Sequence, residues 1–176
     1  MDTALENFYS LYDRRRSIRE FTDRPIEGEV LARLLRVLLR AQSAANRQPW
    51  HFVVVEREGR DKFNELFYKE GFRNAPVVIA ALADTEAAWV RKNDEKNYAW
   101  VDVSIAVTEM IGAATAEGVG TCWIAAIDPV GVKSTLGVPD NFDLVGVIAL
   151  GYPETELLHE RKPRKSLEEI IHYGKW

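Results

Sequence analysis

The spacing of apolar residues along the first part of the chain changes from that of a helix to that of a strand. Residues 3–14 carry apolar side chains at roughly helical spacing and predict a first helix. A wide apolar stripe that begins at Glu27 predicts a second helix, which we expect to end near Asn46 because Pro49 disfavours helical geometry before it. Residues 51–55 are rich in β-branched side chains and predict a strand that is buried on both faces at its centre.

The rest of the chain continues this mixture of helices and strands. The predicted elements are an amphipathic helix over 60–74, a buried strand over 75–81, a polar connector over 84–98, an apolar helix over 99–117, strands over 120–126 and 145–150, and a short final helix. The helix over 99–117 is apolar on nearly all sides, and such helices are buried on nearly all sides. In a chain of this size that pattern predicts a core shared with a second copy. We interpret Asp102 and Glu109, which interrupt the apolar surface, as structural polar contacts at that interface.

Length and composition are those of one ordinary globular domain. The 176 residues fit a single domain spanning 1–176, and 47% of them are hydrophobic and 28% charged. The formal net charge is -4 and the sequence pI is about 5.5. This acidic balance argues against nucleic acid as a partner.

Membranes, disulfides and metals are also not indicated. No apolar run is long enough to span a bilayer, and the first residues lack the basic and hydrophobic regions of a signal peptide, so we expect a cytoplasmic protein without membrane association. Cys122 is the one cysteine, and we interpret it as inert packing because no histidine is placed in the sequence to activate it. The three histidines are scattered, so we expect no metal site.

A basic cluster near the start of the chain is the first candidate for binding chemistry. Arg14, Arg15, Arg16 and Arg19 surround Ser17 within six residues. Guanidinium groups offer forked donors that match phosphate oxygens and stay charged at any working pH. The cluster is either a phosphate clamp or a solvated basic run on a helix surface, and the charge pattern alone leaves both open.

The turn over 43–50 is the second candidate. Its small residues allow a planar ligand to approach the backbone, and Ser43, Asn46 and Gln48 supply hydroxyl and amide groups that can bond the edge of a heterocycle. An ordinary helix-to-strand loop uses the same residue types. The turn alone therefore decides little.

The order of the motifs resembles the FMN-dependent nitroreductase family over roughly residues 8–172. The matching motifs are the Arg-Arg-Ser-Ile-Arg cluster at 15–19, the turn at 43–50 with its following strand, the strand at 75–81, the glycine-containing turn and Cys-Trp strand at 118–124, and the closing segments at 150–153 and 161–163. The chain departs from the family pattern at Gln42, Ala125 and His159, where the family often has proline, glycine and a basic residue.

The resemblance implies the fold, the assembly and the cofactor. The fold is α+β, with a central mixed β-sheet flanked by helices, in an intertwined homodimer with the apolar helix over 99–117 at its centre. The cofactor is FMN, with its phosphate held by arginines from both ends of the chain. The implied cofactor-binding residues are Arg15, Arg16, Ser17, Arg19, Ser43, Asn46, Gln48, Trp123, Ile124, Ala125 and Arg161.

The resemblance also implies the reaction. NADH or NADPH gives hydride to flavin N5, which accepts a hydrogen bond from a backbone amide near Ala125 or Ala126, and a nitroaromatic, quinone or similar small acceptor then takes the electrons. No catalytic side chain is required. Two alternatives stay open: a flavin-binding store, carrier or sensor without turnover, and a branch of the family that consumes flavin or dehalogenates aromatic substrates.

Overall fold

The computed structural model describes residues 3–58, 60–155 and 163–176, and it has seven helices and six strands in those ranges. The helices are α1 (Thr3–Arg14), α2 (Gly28–Leu38), α3 (Asp61–Asn64), α4 (Glu70–Arg73), α5 (Ala99–Ala116), α6 (Pro129–Leu136) and α7 (Leu167–Ile170). The strands are β1 (Trp50–Glu56), β2 (Val77–Asp84), β3 (Val90–Arg91), β4 (Lys96–Asn97), β5 (Gly120–Ile124) and β6 (Phe142–Gly151).

The main sheet has four strands in the order β1-β2-β6-β5, and each neighbouring pair is antiparallel. Strand β2 is buried over all its residues except Asp84, so it reads as a continuous apolar run. The small strands β3 and β4 form a separate hairpin inside the predicted polar connector. Helices combined with this sheet confirm the predicted α+β class. Among the described residues, the one parallel pairing is a single bridge between Ser17 and Thr121.

Helices cover both faces of the sheet. On one face, α2 and α5 form a core that includes Leu34 and Val103, which are completely buried. On the other face, α3, α4 and α6 bring Phe63, Phe72 and Val132 into a second core. Because β2 and β6 lie between these two layers, apolar residues on both of their faces are removed from water.

The two edges of the sheet differ. Strand β1 is an edge strand whose central residues are half-buried, so the prediction that it is buried on both faces at its centre is wrong for this chain. Strand β5 lies at the opposite edge, where the Ile18 amide donates to the Thr121 carbonyl at 2.8 Å. The segment after α1 therefore continues the sheet beyond β5.

Helix α2 ends earlier than expected. Its last residue is Leu38, which is buried, and Leu39 is 73% exposed. The predicted end near Asn46 is wrong because Ala45 and Asn46 have φ values of 51° and 53°, which an α-helix does not contain. A short 3₁₀ turn over Ala44–Asn46 takes the place of the last helical turn.

The amphipathic helix predicted over 60–74 is instead the two short helices α3 and α4. Phe63, Phe67 and Phe72 all enter the same core. In one continuous helix, Phe72 would lie on the side opposite Phe63, because nine residues rotate a helix by two and a half turns. The break between α3 and α4 returns Phe72 to the sheet.

Arg60 holds this broken segment together. Its side chain is 1% exposed, and its guanidinium donates to the carbonyls of Arg73 at 2.9 Å and Ala75 at 2.6 Å. Burial, with a smaller effect of the nearby Arg57, lowers the pKa of Arg60 to about 10. Arg60 remains charged at neutral pH and ties the start of α3 to the residues before β2.

Helix α5 packs one face against the sheet and α2. Val103, Ala106 and Met110 are completely buried, whereas Trp100 and Val101 are 49% and 41% exposed. Within one chain, α5 is therefore buried on one face, and its exposed face carries Thr108 and Glu109 as well as these two apolar side chains. Of the described residues, α5 alone has the length and apolar composition of a membrane-crossing helix, and core helices meet the same criterion.

Glu27 joins the start of α2 to the end of β6. The Tyr152 hydroxyl donates to Glu27 Oε2 at 2.6 Å, and Arg24 donates to Oε1 at 2.6 Å while its guanidinium lies 4.0 Å from the centroid of the Tyr152 ring. The hydrogen bonds from Tyr152 and Arg24 lower the pKa of Glu27 to about 2. The folded state therefore favours ionised Glu27. This contribution to stability is complete above the ordinary pKa of 4.5 and is lost as the pH falls towards 2.

We predict that Glu27→Gln lowers stability at neutral pH and that its difference from the wild type disappears on acidification between about pH 4.5 and 2. Urea unfolding midpoints measured across this pH range test the prediction. Glu29→Gln is the control, because Glu29 lies on the same helix and makes none of these hydrogen bonds. A difference that stays constant with pH would contradict the assignment.

Candidate functional site

A small cavity lies beside the arginine cluster. Its volume is about 170 Å³. It is lined by Arg14, Arg15, Arg16, Ile18, Thr115, Gly118, Val119, Gly120, Thr121 and Pro153. The cavity thus joins the end of α1, the turn between α5 and β5, and the end of β6. Three of its lining groups are cationic, so it favours an anion.

Backbone pairing fixes the position of the cluster. Ser17 bridges to Thr121, and Phe21 bridges to Pro153. Ile18 and Phe21 are 5% and 1% exposed, so they anchor the segment in the core. In this extended segment alternate side chains point to opposite sides. Ser17 and Arg19 are therefore exposed on the side away from buried Ile18.

Three arginines of the cluster were predicted to bind the cofactor, namely Arg15, Arg16 and Arg19, and their contacts differ. Arg16 donates through Nη1 to the carbonyls of Asp13 and Arg15, so it helps to end α1. Arg19 donates to the Ser17 carbonyl at 3.3 Å. Arg15 is half-buried and has no side-chain hydrogen bond to any of the described residues. Its guanidinium is the best placed of the three to bind an anion in the cavity.

The other predicted arginine, Arg161, lies outside the described residues, as does His159. The chain that leads to it does pass the cluster, because the Glu154 amide donates to the Glu20 carbonyl at 3.2 Å.

Strand β5 runs from the cavity towards the exposed residues that follow it. The Trp123 indole is half-buried and covers Gly146, where an added Cβ would overlap it. Ile124 is 4% exposed and packs in the core on the other face of the sheet, so only its backbone is available to a ligand. Ala125 and Ala126 are exposed and lie just beyond the end of the strand.

The polar turn over 43–48 has an unusual backbone. Ala45, Asn46 and Gln48 have φ values of 51°, 53° and 50°. Each such non-glycine residue costs on the order of 1–3 kcal/mol, and residues held in these conformations cluster at functional sites. Within the turn, the Gln48 amide donates to Ser43 Oγ at 3.0 Å, and the Gln48 side chain donates to Asn46 Oδ1 at 3.3 Å.

The cavity and the polar turn lie at opposite ends of α5. The Ala44 amide donates at 3.0 Å to Asp102, in the first turn of the helix. Thr115, which lines the cavity, lies near the other end. Because Thr115 is 13 positions after Asp102 on α5, the two positions are about 20 Å apart. Within one chain the structure does not bring the turn to the arginines.

Several residues of these surfaces are not among the predicted site residues. Thr115 and Thr121 line the cavity although neither forms part of a charged motif. Gly118, with a φ of 75°, makes the tight turn from α5 to β5, and the glycines around it were the available signal. Gly71 on α4 lies so close to Arg19 and Glu20 that a Cβ would overlap the Arg19 carbonyl, which no sequence pattern indicated.

The remaining predictions concern Cys122 and metals. Cys122 is 4% exposed and packs in the core with Ile124. Among the described residues, no group of three or more His, Cys, Asp or Glu side chains is arranged to hold a metal ion.

Comparisons with known proteins agree on one family. The profile of the nitroreductase family matches residues 12–73 and 64–152. A relative from Archaeoglobus fulgidus, provisionally named NADH dehydrogenase/NAD(P)H nitroreductase, is 32% identical over 188 aligned positions that cover all of both chains. The crystal structure of a nitroreductase family protein from Clostridium difficile 630 has a TM-score of 0.87 at 30% identity and covers 94% of this chain and 97% of that one. The structure of an oxidoreductase containing FMN shares the fold, with a TM-score of 0.81 at 23% identity over 94% of this chain and 91% of that one.

We predict that Gly71→Ala destabilises the protein by about 1–3 kcal/mol, because the new methyl group forces α4 away from Arg19 and Glu20. Denaturant unfolding measures this change. Gly28→Ala is the matched control, since nothing lies within 4 Å of a Cβ at that position. It should leave stability unchanged or raise it by up to about 1 kcal/mol. Equal effects of the two substitutions would show that the contact with Arg19 is not tight.

Proposed function

The chain belongs to the nitroreductase family, and we propose that it is an enzyme that binds FMN and uses NADH or NADPH to reduce small electron-poor acceptors such as nitroaromatics and quinones. The observation that carries the proposal is the cavity beside Arg15. It unites the start of the chain, the turn before β5 and the end of β6 at one cationic site.

A phosphate group fits this cavity in size and in charge. The volume of about 170 Å³ is many times the roughly 10–15 Å³ that one water molecule requires. Arg15 lines the cavity and supplies a guanidinium donor. Ser17 and Arg19 are exposed next to this lining, and we propose that their hydroxyl and guanidinium groups reach the phosphate from the solvent side. A hydrogen bond to a charged group contributes about 1.5–3 kcal/mol, and micromolar binding requires about 8 kcal/mol. A few such bonds would therefore provide much of the affinity and favour FMN over riboflavin.

The proposed ring site follows β5 away from the phosphate. Ala125 is four positions after Thr121, which lies at the cavity, and this corresponds to about 13 Å along an extended chain. The exposed backbone at Ala125 and Ala126 is free of side-chain bulk, so a planar ring can approach it. FMN, when bound, supplies the capacity to accept hydride from NADH or NADPH and to deliver electrons to an acceptor.

In this proposal the protein's own residues bind and orient the cofactor. Arg15, Ser17 and Arg19 fix the phosphate end, and backbone amides near Ala125 donate to the ring edge. No side chain is assigned the role of acid or base. Positioning of the donor and acceptor over the ring is then the protein's main contribution to the rate.

We further propose that a second copy of the chain completes the site. Asp102, which contacts the polar turn, and Thr115, which lines the arginine cavity, are about 20 Å apart along α5. A two-fold axis that pairs α5 with its copy in antiparallel orientation brings the turn of one copy towards the cavity of the other. Each site would then combine arginines from one chain with Ser43, Asn46 and Gln48 from its partner.

Exposed apolar residues support such a dimer. Besides the outer face of α5, large apolar side chains are exposed on α1 and in the C-terminal segment. They are Phe8, Tyr9, Tyr12, Leu167, Ile170, Ile171, Tyr173 and Trp176. Burial of these residues at an interface between copies would remove a large apolar area from water. This distribution is consistent with the predicted intertwined homodimer.

We predict that the purified protein is yellow, that NADH or NADPH bleaches its visible absorbance without oxygen, and that a quinone or nitroaromatic compound restores the colour. Anaerobic absorbance spectra test each step. Colour without bleaching would favour a flavin-binding protein without turnover, and a colourless protein that does not take up FMN would contradict the proposed function. Product analysis separates nitroreduction from consumption of flavin or dehalogenation.

We predict that Arg15→Ala reduces the preference for FMN over riboflavin by about ten- to a hundredfold, because it removes a charge-assisted hydrogen bond to the phosphate. Titrations of apoprotein with the two flavins measure this preference. The control is Arg36→Ala, since Arg36 is exposed on α2 away from the cavity. An unchanged ratio in the Arg15 variant would contradict the assignment of the phosphate site.

A further inference from the structure

Asp102 is an acidic residue buried inside an otherwise apolar helix. It is 1% exposed on α5, where its neighbours Val103 and Ala106 are completely buried. Its Oδ1 accepts a hydrogen bond from the Ala44 amide at 3.0 Å. Its Oδ2 is buried and has no hydrogen-bond partner among the described residues. A buried carboxylate with one unpaired oxygen lowers stability, so its presence needs another explanation.

The hydrogen bond to Asp102 leads directly to the polar turn. The amides of Asn46, Arg47 and Gln48 and the Gln48 side chain donate their hydrogen bonds to other residues of the turn. In the described part of the chain, the bond from Ala44 to Asp102 is the one hydrogen bond that joins residues 43–48 to another element.

A turn with three left-handed non-glycine residues needs such an external contact. The backbone would relax towards ordinary conformations if nothing held it, because each of these residues carries a conformational cost. Asp102 is fixed by the rigid, buried α5, so it can impose a defined position on the Ala44 amide. The position of the turn is thereby coupled to the core of the protein.

We propose that Asp102 is a positioning residue that holds the turn over 43–48 in the conformation that contacts the flavin ring. The inference rests on the proposed function, and it adds a residue that touches neither the ring nor the phosphate. It corrects the interpretation of Asp102 as an interface contact, since the carboxylate faces a turn of its own chain.

The test compares variants that remove the acceptor, keep it, or remove the donor. Asp102→Leu removes the acceptor, and Asp102→Asn keeps an oxygen at a similar position. Ala44→Pro removes the donor, and proline suits this position because Ser43 before it is extended and Ala44 begins a 3₁₀ turn. Ser104→Ala is the control on α5, because within the described part of the chain the Ser104 hydroxyl bonds only to the Trp100 carbonyl of its own helix.

The measurement is the affinity of each apoprotein variant for FMN and for riboflavin. Asp102→Leu and Ala44→Pro should weaken both affinities by about tenfold and by the same factor, because the ring contacts are lost while the phosphate contacts remain. The ratio of the two affinities should therefore match that of the wild type. Asp102→Asn and Ser104→Ala should stay within about threefold of the wild type.

Melting temperatures of the apoproteins separate positioning from a general structural role. A positioning role predicts that Asp102→Leu melts at or above the wild-type temperature although it binds flavin less well, since a buried unpaired oxygen has been removed. Unchanged affinity in Asp102→Leu, or a loss confined to FMN, would overturn the proposal. If Asp102→Leu does not fold, Ala44→Pro decides by the same criteria, and failure of both to fold would show a purely structural role. If the wild type binds neither flavin, the proposed function fails instead.

Discussion

The packing of α5 between the sheet and α2 is the interaction on which the candidate site depends. Val103, Ala106 and Met110 are completely removed from water, so the helix cannot shift without opening the core. One end of α5 supports the strained turn through Asp102, and the other end forms part of the arginine cavity through Thr115. A single rigid element therefore fixes the distance between the two binding surfaces.

In the proposed dimer, the same helix explains why one chain would hold only part of the flavin site. Its inner face belongs to the core, and its outer face exposes the apolar side chains of Trp100 and Val101. The proposed second copy would account for this exposed face, for the separation of about 20 Å between Asp102 and Thr115 along α5 and for the exposed apolar side chains of the C-terminal segment. In that proposal, assembly and ligand binding are linked, because the interface that buries α5 would also bring the turn of one copy towards the cavity of the other.

Much of the fold was predictable from sequence, because strong local patterns specify individual elements. The apolar run that became β2 and the helical spacing that became α1 and α5 needed no tertiary information. The errors occurred where tertiary contacts override local preference. The break between α3 and α4 depends on where Phe72 must enter the core, and the predicted extension of α2 to Asn46 fails because Ala45 and Asn46 have left-handed backbone conformations. Of the site, the arginine cluster was visible as a charge pattern, whereas the contacts of Gly71 and Asp102 join residues far apart in sequence and leave no local signal.

The central claim is that arginines from one chain and the polar turn from its partner form each flavin site. Co-expression of Arg15→Ala and Ser43→Val chains with different affinity tags, followed by purification of the mixed dimer, tests it directly. Ser43 has an extended backbone that accepts valine, and its hydroxyl holds the Gln48 amide. If each site draws on both chains, one site of the mixed dimer keeps both intact halves, so the mixed dimer should bind about half the FMN of the wild type while either parent binds little. A mixed dimer that binds no more FMN than its parents would contradict the claim.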